Sequence, residues 1–156
     1  MRTGSRQDSA SRPGGAQWQS TVAGPAPARY NVAMLRPDLP NLVAVACGGA
    51  LGSCARFALQ GWIPRPWGTL GVNVLGCFAM GVLLALDVHV RVKAFVAIGL
   101  LGGFTTFSGL AADVWWAWHE GARATLAPYL LGSLVGGVLA LASGVGVARA
   151  LATLAS

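Results

Sequence analysis

The sequence predicts an all-α integral membrane protein with four transmembrane helices per subunit, the third of them broken. Three observations lead there. Of 156 residues, 54% are hydrophobic and only 10% charged, and mean hydropathy is +0.59; an ordinary soluble domain carries about 25% charged residues. The apolar residues gather into stretches of roughly 20, the length that crosses a hydrocarbon core of about 30 Å. The third stretch is interrupted by Gly102-Gly103 and then by Thr105, Thr106 and Ser108.

Residues 1–40 read as a tail. They hold five of the eight prolines and five of the eleven basic residues, and show no apolar period. The one apolar patch, Val22 to Ala28, is broken by Pro25 and Pro27 and too short for a secretory signal. Disorder with a lipid-surface bias from the arginines follows. A net charge of +6 suggests nucleic acid only until the basic residues are placed: they lie in the tail or flank or enter apolar segments, which a topology signal explains better.

The first span is expected over about Asn41 to Trp62, started by Pro40 and closed by Pro64 and Pro66. Gly48 and Gly52 form a small-xxx-small face for close helix approach. Arg56 lies inside it, either as a snorkelling anchor or as a vestibule cation that attracts anions. The second span covers about Trp67 to Leu86, with one strongly polar interior residue, Asn73, readable as interhelical glue or as a pore-facing group.

The third span runs from about Val92 to Trp118. Gly102-Gly103 costs about 1 kcal/mol per glycine relative to alanine in a helix, and hydroxyls compete for backbone partners. In lipid, freed N–H and C=O groups are tolerated only in protein or along a wet pathway. Broken helices of transport proteins turn such groups toward ions. The stretch from Gly99 to Val114 is therefore the expected functional centre. Trp115, Trp116 and Trp118 then form an interfacial belt. The fourth span, about Leu126 to Leu151, carries Tyr129, Ser133 and Gly137 on one face and a second close-packing pair, Gly132 and Gly136. Residues 153–156 are a short C-terminal end.

The chemistry of an enzyme is missing. Cys47, Cys54 and Cys77 all fall in spans without a CxxC pair, and the two histidines are in loops. No phosphate-binding loop, nucleophile elbow or HExxH is present.

Three motifs, Gly48-Gly49-Ala50-Leu51-Gly52-Ser53-Cys54-Ala55-Arg56-Phe57, Gly68-Thr69-Leu70-Gly71-Val72-Asn73-Val74-Leu75-Gly76 and Gly102-Gly103-Phe104-Thr105-Thr106-Phe107-Ser108, together resemble the small bacterial fluoride channels of the Fluc, or CrcB, family. The resemblance covers about residues 41–152. It implies a multi-pass protein of the bacterial plasma membrane, an antiparallel, dual-topology-type dimer with pores between the subunits, and passive fluoride export that relieves fluoride toxicity. It also implies a structural sodium ion at the dimer interface, held by the carbonyls of Gly102 and Thr105. Phe107 matches a ring whose edge meets the ion, Asn73 the pore asparagine, and Tyr129 and Ser133 the fourth-helix polar face. Arg56 matches the first-helix arginine and Asp113 the acidic residue after the break. Thr106 and Ser108 join the pore set as hydroxyl donors. These roles agree with fluoride chemistry: a small, strongly hydrated anion needs N–H and O–H donors in place of water, or the positive edge of a ring.

Two positions depart from the family pattern. Leu110 stands where a second phenylalanine is usual, and Gly137 where a hydroxyl often is. Near the spans, Arg29, Arg36, Arg91, Lys93 and Arg149 lie on the N-terminal side, and Arg65 and Arg123 lie opposite. That bias favours an N-terminus inside and hence a heterodimer with a paralogous subunit over a homodimer. An inactive or supporting subunit of such a heterodimer is the alternative reading. A small proton-coupled multidrug exporter is a weaker rival, since Asp113 is the only candidate membrane-embedded carboxylate. Non-transporting helical assembly fits the glycines but not the interrupted span.

Overall fold

A computed structural model describes residues 37–154. Helix α1 spans Leu39–Trp62 and α2 spans Trp67–Ala85. The third apolar segment starts as α3, Val90–Lys93, and widens into a π-helical stretch, Ala94–Leu101. It narrows to a single turn, α4 (Gly102–Phe104), and continues as α5, Phe107–His119. A 3₁₀ turn, Arg123–Thr125, leads into α6, Leu126–Leu154. Four segments are long and apolar enough to cross a membrane: Leu39–Trp62, Trp67–Ala85, Val90–His119 and Arg123–Leu154.

Capping sets the first boundary. The Asp38 carboxylate accepts the Asn41 N–H at 3.0 Å, and Pro40 occupies the first turn, where its missing N–H costs nothing. Helix α1 therefore starts at Leu39, two residues before the expected Asn41, and the tail boundary at residue 40 moves back accordingly. The rest of the predicted tail lies outside the described residues. At the other end, α6 runs to Leu154 rather than Leu151, because no glycine or proline follows Gly146 to stop it. Its last turns take up part of the separate C-terminal end expected from residue 153.

The spans pack mainly in two pairs, α1 with the third span and α2 with α6. In the first pair, backbone meets backbone. A Cβ on Gly48 would overlap the Phe95 carbonyl, one on Gly52 the Leu100 carbonyl, and one on Gly103 the Gly49 carbonyl at 2.6 Å. The expected small-residue face at Gly48 and Gly52 is thus used, and against the third span. In the second pair the expected position is displaced. Gly132 and Gly136 face only side chains, Leu70 Cδ1 at 3.1 Å and Val74 Cγ2 at 3.6 Å from where their Cβ atoms would lie. The backbones touch about two turns further on, where Gly81 meets the Leu141 carbonyl and Gly144 the Phe78 carbonyl.

Many large apolar side chains face outward, among them Phe57, Val138 and Leu139. In hydrocarbon this carries no penalty, because lipid tails are as apolar as the side chains. The two ends of the bundle differ. Trp62, Trp67, Trp115, Trp116 and Trp118 all lie exposed at the end formed by the α1–α2 and α5–α6 connections. There Arg123 stacks 4.5 Å over the Trp118 ring. Arg91, Lys93 and Arg149 lie toward the opposite end.

Candidate functional site

Between α4 and α5 the chain leaves helical geometry for two residues. Thr105 has φ −79°, ψ 154° and Thr106 has φ −149°, ψ 113°. The interruption therefore falls after the glycine pair rather than on it. Gly102 and Gly103 stay within a helical turn, and Gly103 is needed there for contact with Gly49. Its carbonyl accepts from Ser53 Oγ at 3.5 Å.

Asn73 closes the gap. The Thr106 N–H donates to Asn73 Oδ1 at 2.7 Å, and Asn73 Nδ2 donates to the Thr106 carbonyl at 3.1 Å. One carboxamide satisfies both backbone groups of an extended residue at mid-span depth, where water is absent. Gly76 permits the approach, since its missing Cβ leaves space taken by the Thr105 methyl. Thr106 also caps α5: its Oγ1 accepts the Gly109 N–H at 2.9 Å and lies 3.1 Å from Ser108 Oγ. Thr105 turns back, its N–H and hydroxyl both donating to the Leu101 carbonyl at 2.9 Å.

These bonds divert two backbone donors. In an uninterrupted helix the Gly102 carbonyl would accept from the Thr106 N–H, and the Thr105 carbonyl from the Gly109 N–H. Here the first N–H goes to Asn73 and the second to Thr106 Oγ1. The carbonyls of Gly102 and Thr105 thus lose their ordinary helical partners. Phe107 projects outward at 78% exposure, whereas Leu110, one turn on, is buried within the chain at 8%. Arg56 is half-buried on α1, one turn past Gly52, and makes no ion pair among the described residues.

A second polar cluster lies toward the tryptophan-rich end. Asp113, buried on α5, accepts the Tyr129 hydroxyl at 3.1 Å through Oδ2, and its Oδ1 lies 3.7 Å from Arg65 Nε. Thr69 reaches the same phenol from α2 and accepts in turn from Gln60 Nε2 at 3.1 Å. One turn along α6, Ser133 Oγ is buried with no hydrogen-bond partner among the described residues. Gly137 follows, leaving room beside Cys77 Sγ, which would lie 3.4 Å from a Cβ there. A cavity of about 490 Å³ opens over the cluster, its lining including Arg65, Trp67, Asp113 and Glu120.

Sequence reasoning placed Asp113, Tyr129 and Ser133 in the candidate set without their mutual geometry. It missed Arg65, Gln60 and Thr69 as members. Thr69 sits within the quoted second motif, and Gln60 is a polar residue near the end of an apolar span; those were the available signals.

Residues 43–145 match the family described as CrcB-like protein, Camphor Resistance (CrcB). The chain belongs to the CrcB family. It is similar to proteins named fluoride-specific ion channel FluC. That of Paracoccus denitrificans is 45% identical over 115 residues, which cover 69% of this chain and 93% of that protein. That of Agrobacterium fabrum is 38% identical over 120 residues, covering 70% and 96%. FluC 2 of Nocardia farcinica is 38% identical over 134 residues, covering 80% and 93%. These CrcB relatives are channels by name rather than enzymes. With four spans long and apolar enough for the bilayer, the CrcB chain is a multi-pass membrane protein.

Proposed function

We propose that this chain is a subunit of a fluoride channel that lets fluoride leave the cytoplasm passively and so relieves its toxicity. The observation that carries the reading is the Asn73–Thr106 pairing at the interruption of the third span, in a chain whose relatives are named fluoride-specific channels. Fluoride holds its water tightly, so a selective path must offer replacement donors. The second N–H of Asn73, the one hydroxyl proton that the Thr106–Ser108 pair leaves free, and the unpartnered Ser133 Oγ supply them. The outward Phe107 ring presents a positive edge at the subunit surface, where a second subunit completes the path. Arg56 raises anion concentration from α1.

The donor set also fits a structural sodium ion. The Gly102 and Thr105 carbonyls, released from helical partners, are hard oxygen donors of the kind unwound helices offer to small cations. Such an ion supplies positive charge that holds two interrupted helices together across an antiparallel dimer interface. Protein reconstituted in liposomes, with its partner subunit if one is needed, is expected to release fluoride to an electrode while retaining chloride. Equal release of both anions overturns the reading.

The dimer is read as a heterodimer with a paralogous subunit inserted the other way. The excess of basic residues on the N-terminal side of the spans, with Arg91, Lys93 and Arg149 toward the end opposite the tryptophan cluster, favours one orientation of this chain. Tagged termini mapped in membranes expressing the chain alone test this. Equal insertion in both orientations, with full fluoride flux, establishes the homodimer instead.

A further inference from the structure

Arg65 has no part in the reading above, yet it borders two cavities. One is the space of about 490 Å³ over Asp113. The other, of about 200 Å³, is lined by Phe57, Gln60, Gly68 and Thr69 among others. Its side chain is 75% exposed, while the Asp113 side chain 3.7 Å away is 3% exposed. Among the described charged residues lining the larger cavity, Arg65 is the single cation, set against the carboxylates of Asp113 and Glu120. Arg123, the other cation at this end, is stacked on Trp118. Below the cavity the polar groups continue inward through Tyr129 to the buried, unpartnered Ser133 hydroxyl. A cavity feeding that line with two carboxylates and no cation would repel an anion at its approach.

We infer that Arg65 is the positioning and charge-compensating residue of the channel mouth, neutralising Asp113 so that fluoride can reach the Tyr129–Ser133 line. The inference rests on the fluoride-channel reading and adds a residue to it. The pair does two things. It holds the Asp113 carboxylate in place as the acceptor of the Tyr129 hydroxyl, and it cancels a negative charge that low-dielectric walls would otherwise focus into the cavity. Arg65 reaches the buried carboxylate from the solvent side, as a long side chain with an apolar stem can.

The test is a double-mutant cycle in liposomes, reading fluoride efflux against fluoride concentration. Arg65→Gln is expected to lower efflux about tenfold at low ionic strength, less at high salt, in line with steering effects at charged clefts. The loss should appear as a higher half-saturating fluoride concentration with a nearly unchanged maximum, which a merely structural tether would not produce. Arg65→Lys should restore most of the flux. In an Asp113→Asn background, Arg65→Gln should have little further effect, because the charge it compensates is gone. An unchanged Arg65→Gln, a loss confined to the maximum, or an equal loss in the Asp113→Asn background each overturns the inference. An unmodified protein that stays silent even with its partner subunit present overturns the channel reading and this inference together, so the two failures are distinguishable.

Discussion

The two polar clusters of this chain solve one problem in opposite ways. At the interruption, neutral groups do the work: a carboxamide bonds both backbone groups of Thr106, and a threonine hydroxyl caps the next helix. Toward the tryptophan-rich end, a carboxylate is paired with a guanidinium and a phenol. The difference follows depth. At the bilayer centre a charged side chain costs about 2.5–3.5 kcal/mol on insertion scales, and freed backbone groups have no water to fall back on. Near the interface a long arginine reaches water, and a charge can be kept. Neutral bonding therefore holds the chain's shape at mid-depth, and ionic bonding is kept for the end of the bundle where an arginine reaches water.

The comparison breaks first at Asn73. Asn73→Leu strands the N–H and C=O of Thr106, each costing several kcal/mol in an apolar setting. No stable, fluoride-conducting protein is expected by size-exclusion chromatography and liposome efflux. Asp113→Asn, which still offers an oxygen to Tyr129, should fold and elute normally. If the two variants behave alike, the distinction between the two clusters fails.

Glycine substitutions sharpen it next. Gly103→Val forces a side chain onto the Gly49 backbone, and a small-to-large change in close packing costs about 1–3 kcal/mol or more. A large drop in thermal stability should follow. The nearest atom to a Cβ on Gly102 is the Ala97 carbonyl oxygen at 3.8 Å, so Gly102→Ala should melt within a few degrees of the unmodified protein. The reverse order would show that the first glycine, not the second, makes the contact with α1.

Leu110 lies between the clusters. Leu110→Phe places a larger ring in a buried position, with an expected loss of about 1–3 kcal/mol, read as a lower melting temperature. A gain in fluoride flux without that loss would mean the position faces the ion path. The smallest effect belongs to Thr106→Ala, which removes the α5 cap at about 1 kcal/mol, while Thr106→Ser should melt like the unmodified protein.

The four spans were legible because apolar length and proline boundaries are local properties. The extent of the interruption in the third was legible only in part. The glycines and the hydroxyl residues after them were both expected to break the helix, but Gly102 and Gly103 stay in a helical turn, with Gly103 in contact with α1, and the residues that leave helical geometry are Thr105 and Thr106. Asn73 remained ambiguous from its own span, because its partner is 33 residues away. The tight crossing at Gly81 and Gly144 was missed for a related reason. Four-residue spacing marks Gly132 and Gly136 within one helix, whereas the pair that touches backbone is split between two helices. Arg65 looked like a loop charge until the fold brought Asp113 beneath it.

The unequal lengths of α2 and α6 have a mechanical consequence. At 1.5 Å per residue, the 19 residues of α2 span about 28 Å and the 29 residues of α6 about 43 Å. The first matches a hydrocarbon slab of about 30 Å; the second overshoots it and must lean or protrude. Because Gly81 and Gly144 press the two backbones together, a change in lean of α6 carries α2, and Asn73 with it. Hydrophobic mismatch is thereby transmitted to the interruption in the third span, and lipid acyl-chain length becomes a lever on its geometry.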